Sequence, residues 1–440
     1  MWTYHEDLLA RPVPRYTSYP TAVEFHDRVG PADMAGALDA IGADDVVSLY
    51  LHVPYCREIC WYCGCNTGAA NRTARLTAYL DALANEVDLI AQRLGGRGRV
   101  TRIAFGGGSP DVVPAATFIA LVERLWTAFT CDVPVLSVEL DPRGFDADFA
   151  AALAATGVSR ASLGVQTFDP AIQAAIGRVQ PTALVAGAVR MLRGAGVGSI
   201  NVDLMYGLPG QTDSSLRETL ETAVALAPDR LAVFGYAHVP RMVPRQRRID
   251  ATALPDARAR FRQAELAHAM LVDAGYVAVG FDHFARPEDA LARAAAAGTL
   301  GRNFQGFTED EAGVLIGMGA SAISAFPDRL LQNEKNSGLY RTHIAAGRLP
   351  IARGLHRSAA EQREARAITD ILTHGAAEIA DIEAPAVARR RLHAFETAGL
   401  VRWQGSRLIL ADDARPYART IAATFDRYRQ TDAGQFSTAV

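Results

Sequence analysis

From Val46 onward, short runs rich in β-branched and aliphatic residues alternate with longer runs of helical periodicity. The strand-like runs are Val46–Val53, Arg102–Phe105, Val135–Leu140, Arg160–Val165, Ser199–Met205 and Arg230–Tyr236. Between them lie Leu76–Leu94, Ala115–Thr130, Ala147–Ala155, Thr182–Ala195 and Ser214–Leu226, with the spacing of amphipathic helices. Strands separated by helices cannot pair as hairpins, so the series predicts an α/β fold of parallel strands with helices outside. In a barrel of that kind the site forms where the strands' C-terminal ends open into loops.

The strand exits bear this out in composition. The first leads into a cysteine-rich loop, the second into GGGSP (Gly106–Pro110) and the third into ELDP, with Glu139 and Asp141. The fourth ends at Gln166, the fifth carries Asp203 before YGLPGQT, and the sixth ends near His238. Loops favour such residues anyway, but six consecutive exits of this kind point to one shared site. Glycines at the second exit let backbone approach a ligand without Cβ obstruction; an ordinary turn is the simpler reading. Glu139 reads either as an acceptor for ribose hydroxyls or an ammonium, or as a solvated strand end. Arg178 reads either as a carboxylate clamp or as a surface cation. Asp203 stands within an apolar strand, where a carboxylate is costly unless paired; it is the best single site candidate outside the cysteines.

Four of the five cysteines, Cys56, Cys60, Cys63 and Cys65, fall in ten residues spaced C-x3-C-x2-C-x-C. A structural zinc site draws on two separated pairs, and no second pair exists. A disulfide framework belongs to small secreted domains. Thiolates this crowded suit one inorganic centre. Iron–sulfur clusters usually take four cysteines, and three would leave one iron open to a chelating ligand. By spacing alone Cys65 competes as a ligand. His52 is expected to be packed or hydrogen-bonded, and Cys131 buried.

The 440 residues carry a net charge of −3, with 49% hydrophobic and 21% charged residues. That balance gives no global attraction to nucleic acid or anionic lipid. The start lacks a basic then apolar signal pattern, and the uncharged run 312–327 is too short to span a bilayer. A cytoplasmic chain without a membrane span is expected. Residues 1–44 read as an arm with an extended centre, PRYTSYPTA (Pro14–Ala22), either covering a cleft or, more simply, lying on the surface. After the sixth strand come a helix (Asp256–Ala274), a short strand (Tyr276–Phe281), and glycine-rich segments at 302–310 and 315–324 that should close the barrel's open side. From about Gly354, helices Ala359–Thr373 and Ala386–Ala398 precede a hairpin (Val401–Trp403, Arg407–Leu410) and a helix from Pro416, a winged-helix-like unit. Its ARRR run (388–391) invites a DNA-binding reading; in a net acidic chain, packing or covering a substrate is the better expectation, and no nucleic-acid partner is expected.

CREICWYC (Cys56–Cys63) is the C-x3-C-x2-C signature of radical S-adenosylmethionine enzymes, and GGGSP resembles their glycine motif. PRYTSYPTA, CGCN, SVELDPR, GVQTF, DLMYGLPGQT, YAHVP, DHFARP, RNFQGF and GMGASAIS resemble, in order, the oxygen-independent coproporphyrinogen III oxidase family over nearly the whole chain. The resemblance implies a partial (β/α)6 barrel over 45–353 with the arm at 1–44, and a small, mostly helical domain at 354–440. It implies oxidative decarboxylation of two propionates of coproporphyrinogen III to vinyl groups, giving protoporphyrinogen IX. The agent would be a 5′-deoxyadenosyl radical, generated from S-adenosylmethionine at a [4Fe–4S] cluster held by Cys56, Cys60 and Cys63. It places Tyr50, Gly106, Glu139 and Ile323 at the cluster-bound S-adenosylmethionine. Tyr62, Gly107, Gly108, Gln166, Arg178, Asp203 and Ala237 would hold a second one. Cys65 corresponds to a cysteine tied to activity but not to the cluster. Arg15, Gln305 and residues of the C-terminal unit become candidate contacts for substrate carboxylates. An electron donor and acceptor are required, and a monomer is expected. The competing readings are a haem-carrying paralogue, which typically lacks the fourth cysteine and the arm motif, and a related radical methyltransferase. Departures are small: Ser109 for a more familiar threonine, Tyr62 for a phenylalanine, Gly235 for a polar residue, and a slightly short N-terminus.

Overall fold

The computed structural model describes residues 2–70 and 73–429; the end of the expected C-terminal domain, 430–440, lies outside them. One sheet of twelve strands organises the chain. In chain order these are β1 (Val46–Val53), β2 (Arg99–Gly107), β3 (Cys131–Leu140), β4 (Arg160–Gln166), β5 (Ser199–Tyr206), β6 (Arg230–Gly235), β7 (Val277–Val279), β8 (His283–Ala285), β9 (Val314–Met318), β10 (Ile323–Phe326), β11 (Arg329–Asn333) and β12 (Ile351–His356). Their spatial order is β12-β11-β10-β9-β1-β2-β3-β4-β5-β6-β8-β7. From β9 through β1 to β6 every pair is parallel, and the flanking strands at both ends run antiparallel. The six expected strands are therefore present, and this is the partial barrel with its edges extended.

The helices α1 (Thr73–Leu94), α2 (Ala115–Ala128), α3 (Ala147–Thr156), α4 (Thr182–Gly194), α5 (Asp213–Ala225) and α6 (Ala257–Asp273) follow the strands. Each buries one stripe; on α2 it is Phe118, Leu121, Val122 and Leu125, the spacing of a single helix face. Local chemistry sets the ends: Asp146 accepts from the Phe149 N–H to start α3, and Gly157, at φ +71°, stops it. β2 and β3 both run longer than their apolar centres, because ladder pairing with β1 and β4 carries Arg99 and Gly107 into the sheet. Cys131 stands at the start of β3 and is only half-buried, which corrects the expectation of a buried thiol.

Val314–Met318 lengthens the sheet beside β1. The hairpin Gly301–Asn303/Gly306–Thr308 crosses the inner face, with Phe304 edge-on to Tyr50 at 4.6 Å and Phe307 edge-on to His283 at 5.2 Å. At the opposite, N-terminal ends of the strands, Arg102, Arg160 and Arg230 meet Glu309, Asp310 and Asp289 in one ionic network. That floor leaves the C-terminal strand ends as the site of chemistry.

The arm is not a plain surface segment. Leu9, Val13, Tyr16 and Tyr19 share a core with Ile368, Ile371, Leu392, Ile421 and Phe425 of the C-terminal region, and Tyr19 donates to Glu364 at 2.8 Å. It also holds a helix, Pro31–Asp39, whose weak periodicity hid it. The C-terminal region has helices α7 (Ala359–His374) and α8 (Pro385–Thr397) and the expected hairpin, with a third strand at Ala376–Glu378. The expected helix from Pro416 begins at Ala418, behind a 3-10 turn.

Glu86 on α1 is 1% exposed, yet it accepts from the Gly319 N–H (2.6 Å), the Tyr340 hydroxyl (2.6 Å) and the Asn333 amide (2.8 Å). These bonds fix the turn between β9 and β10. Glu86→Ala leaves three buried donors without their acceptor, and is expected to cost about 3 kcal/mol of stability, read as a lowered denaturation midpoint.

Candidate active site

β1 places its last residues against the glycines that end β2. The Gly108 N–H donates to the Val53 carbonyl and the Ser109 N–H to the Tyr55 carbonyl, both at 2.8 Å. A Cβ on Gly106 would sit 2.5 Å from the Glu139 carboxylate, one on Gly107 2.5 Å from the His52 ring, and one on Gly108 against the Tyr55 carbonyl. Gly108 is thus required by close approach of backbone and Gly107 by its φ of +107°, while Gly106 faces a side-chain carboxylate. Gly108→Ala, blocked by backbone and not by a movable side chain, is expected to displace the cysteine loop. Weakened binding of S-adenosylmethionine, read by equilibrium dialysis, with a lowered melting temperature checks this.

The expected residues gather around this seam. Glu139 accepts from the Gly107 N–H at 3.1 Å and from the Gln305 amide at 3.4 Å; burial raises its carboxyl above the ordinary range, with Asp203 adding to the effect. Asp203 is likewise raised by burial, offset by the Ser162 hydroxyl (2.9 Å) and the Asn201 amide (2.7 Å). Gln166, at φ +70°, is buried beside Gly164. The Tyr50 hydroxyl meets His52 at 3.1 Å, and Tyr50 pairs with Gly317, whose α-carbon faces the Ile323 backbone. His52 is held as expected: its other nitrogen meets Ser321 at 3.3 Å, and burial pushes its pKa down to about 4, so the ring is neutral at pH 7. Tyr62 and Ala237 are joined by Gln246, which donates to the carbonyls of both, at 2.8 and 3.0 Å.

The two expected substrate contacts have different partners. Arg15 donates to the Gly235 carbonyl and stands 5.7 Å from the Phe234 ring, at the β6 edge, whereas Gln305 reaches Glu139. The two candidate substrate contacts line different cavities, Arg15 with Tyr206 and Asp282 and Gln305 with Glu139 and Asp203.

The cysteine loop is held electrostatically. Asp141 accepts both guanidinium nitrogens of Arg178 at 3.0 Å and also Arg143 at 2.6 Å, and each arginine donates to the Cys60 sulfur at 3.1 Å. Burial opposes ionisation of Asp141, but its two arginines outweigh burial and hold it below the carboxylate range. Burial, reinforced by Cys63 and Cys60, pushes the Cys56 thiol up to about 12, while a hydrogen bond from Cys65 brings Cys63 down to about 6. Among the described residues no three His, Cys, Asp or Glu side chains already stand in a metal-binding arrangement. The donor chemistry nevertheless fits an iron–sulfur centre: three thiols share one loop, two guanidiniums face the Cys60 sulfur, and soft thiolates select such centres. Arg143, Asp141 as a clamp, and Gln246 were not assigned from sequence. The DPR after β3 was the available signal for the first two, and nothing local marked Gln246.

The Radical SAM superfamily model matches residues 50–223, which cover β1 to α5 and so the cysteine loop and the glycine seam. The class is therefore that of radical S-adenosylmethionine proteins, which implies a [4Fe–4S] cluster and S-adenosylmethionine. The chain is 44% identical over 425 residues to the oxygen-independent coproporphyrinogen III oxidase of Bradyrhizobium diazoefficiens, covering 94% of each. It is 40% identical over 437 residues to that of Paracoccus denitrificans, covering 96% of this chain and 95% of the relative. Coproporphyrinogen III oxidase (HemN) from Escherichia coli, described as a radical SAM enzyme, superposes with a TM-score of 0.90 at 33% identity, covering 97% of this chain and 99% of that one. The chain belongs to the oxygen-independent coproporphyrinogen III oxidase family. No helix among the described residues is long and apolar enough to cross a membrane.

Proposed function

We infer that this chain converts coproporphyrinogen III to protoporphyrinogen IX without oxygen, by oxidative decarboxylation of two propionate side chains. The observation that carries the reading is a three-thiol loop, clamped by Arg143 and Arg178 beside a glycine seam, in a chain that matches a relative over 94% of each. Cys56, Cys60 and Cys63 would hold the [4Fe–4S] cluster, which with S-adenosylmethionine supplies the radical chemistry when bound. The remaining work falls to the protein. Gly106, Gly107 and Gly108 admit a ligand against bare backbone, and Glu139 offers an acceptor beside them. Tyr50 and Ile323 wall the same side. Tyr62, Gln166, Arg178, Asp203 and Ala237, with Gly107 and Gly108, are the candidate positions for a second S-adenosylmethionine. The hairpin carrying Phe304 and Gln305 reaches Tyr50 and Glu139 across the lumen.

Arg15 and Gln305 are assigned to substrate carboxylates, which need cationic or N–H donors. In this reading residues 45–353 carry the chemistry, with the arm at 1–44 and the C-terminal domain at 354–440 flanking it; the first part of the arm, Leu9 to Tyr19, packs with the C-terminal region, and Met34 and Leu38 pack on the barrel. Anaerobic incubation with reductant, S-adenosylmethionine and coproporphyrinogen III tests the proposal: protoporphyrinogen IX and 5′-deoxyadenosine are expected together. Tight haem binding without a vinyl product would assign a carrier instead, and a product heavier by methyl groups a methyltransferase.

A further inference from the structure

The turn that follows His238 carries four arginines in eight residues, RMVPRQRR (241–248), in a chain whose net charge is −3. It is bolted to the cysteine loop. Gln246, 2% exposed, accepts from the Val239 N–H and donates to the Tyr62 carbonyl. Arg245 reaches the Thr67 hydroxyl at 3.1 Å and the Cys65 carbonyl at 3.3 Å, and Arg248 lies 5.8 Å from the Trp61 ring centre. Arg241 and Arg247 remain exposed, with Met242 between them 55% exposed. Across the loop, exposed Lys335 lends its carbonyl to Asn66. The carboxylates nearby are already engaged: Glu58 accepts from Arg143 at 2.7 Å, Asp146 faces Arg57 at 3.8 Å, and Asp250 accepts from Thr252. The result is a cationic collar with one apolar anchor, at the place where Gly64, Cys65 and Asn66 reach solvent.

We propose that this collar is the docking surface for a small acidic one-electron-transfer protein that reduces the centre held by the cysteine loop. The inference rests on the proposed activity, which requires such an input. In each encounter the partner gives up one electron and the centre gains it; no bond forms or breaks in the protein. Charge complementarity selects the partner and speeds its approach, and the exposed methionine supplies the apolar contact that a flat charged rim lacks. The core of the collar cannot move away from the loop, because Gln246 and Arg245 bind loop carbonyls directly. A partner seated there lies against the exposed residues Gly64, Cys65 and Asn66 of the loop that carries the thiols.

The test uses flavodoxin as probe. Oxidised flavodoxin is titrated calorimetrically against the full chain and against Arg241→Glu/Arg247→Glu, at low and high salt; Met242→Asp is the second variant. Neither variant touches a residue placed in the site. Binding is expected to weaken about tenfold or more in the double variant and to fall with salt in the unmodified chain, as for steered complexes. Turnover driven by reduced flavodoxin should show a raised KM for the donor, while dithionite-driven turnover stays unchanged. Equal affinity of chain and variants, or affinity indifferent to salt, would overturn the docking surface. Absence of dithionite-driven product from the unmodified chain would instead overturn the activity, with the calorimetric arm still deciding the surface.

Discussion

Cys65→Ser protein, reconstituted without oxygen, is expected to keep its iron and its spectral response to S-adenosylmethionine while product formation falls by two to four orders of magnitude, roughly the span of a positioned proton-transfer group. The geometry separates this cysteine from its neighbours. Cys60 is buried against two guanidiniums, whereas Cys65 is exposed and its N–H and thiol turn toward the Cys63 sulfur. A serine hydroxyl preserves a donor to Cys63 but not thiol chemistry, so the cluster should survive and turnover should not. Cys56→Ser, Cys60→Ser and Cys63→Ser are each expected to lose both iron and activity, since a hydroxyl is a poor replacement for a soft thiolate. Iron absorbance missing from Cys65→Ser, with iron retained in one of the other three, would show that the ligand set is different.

Much of this is legible in the sequence. The strands were readable because each is an apolar run bounded by helices with clean stripes, and β1 falls at Val46–Val53 as the pattern required. The glycines and Glu139 were readable as types, but not the reason for them. Only the pairing of β1 with β2 shows that the Gly106 α-carbon leaves no room beside that carboxylate. The arm was misread because its apolar residues, Leu9, Val13, Tyr16 and Tyr19, follow neither a helical nor a strand period; they are spaced to meet helices more than 300 residues away, as the Tyr19–Glu364 bond shows. Long-range partners of this kind leave no local signature. Gln246 was missed for the same reason: a lone glutamine between arginines looks like surface until its three bonds to Val239, Tyr62 and Ala237 are seen. Arg178 reads as a possible carboxylate clamp, and in the structure it grips a carboxylate of the chain itself. That carboxylate is Asp141, two residues beyond the glutamate that drew attention.

That pair carries the second large effect. The Arg178 side chain is 6% exposed and that of Arg143 9%, and both converge on Asp141. A buried ion pair adds little over a well-packed apolar substitute, but removing one member strands the other's charge, at a cost of about 3–5 kcal/mol. Asp141→Ala strands two guanidiniums at once, so unfolding of the chain at lower denaturant and scattering of the Cys60 side of the loop are expected together. Asp141→Asn keeps one acceptor oxygen and should lose less stability, yet it should weaken S-adenosylmethionine binding because Arg178 is no longer gripped in a two-pronged bond. Arg178→Lys fails for the complementary reason: a point charge cannot span both Asp141 oxygens and still reach the Gly164 carbonyl and the Cys60 sulfur. Asp141 is held below its ordinary value near 3.8 by these arginines, so its contribution is complete above that pH and drains away as pH falls below it. The unmodified chain should therefore lose stability on acidification through that range more steeply than Asp141→Asn. In the double variant Asp141→Asn/Arg178→Gln the losses should fall short of additive by about 1–3 kcal/mol, the coupling of residues in direct contact. Additive losses, measured as denaturation midpoints at neutral pH, would mean that Arg178 is oriented by something other than Asp141, and the clamp on the cysteine loop would then have to be sought in Arg143 alone.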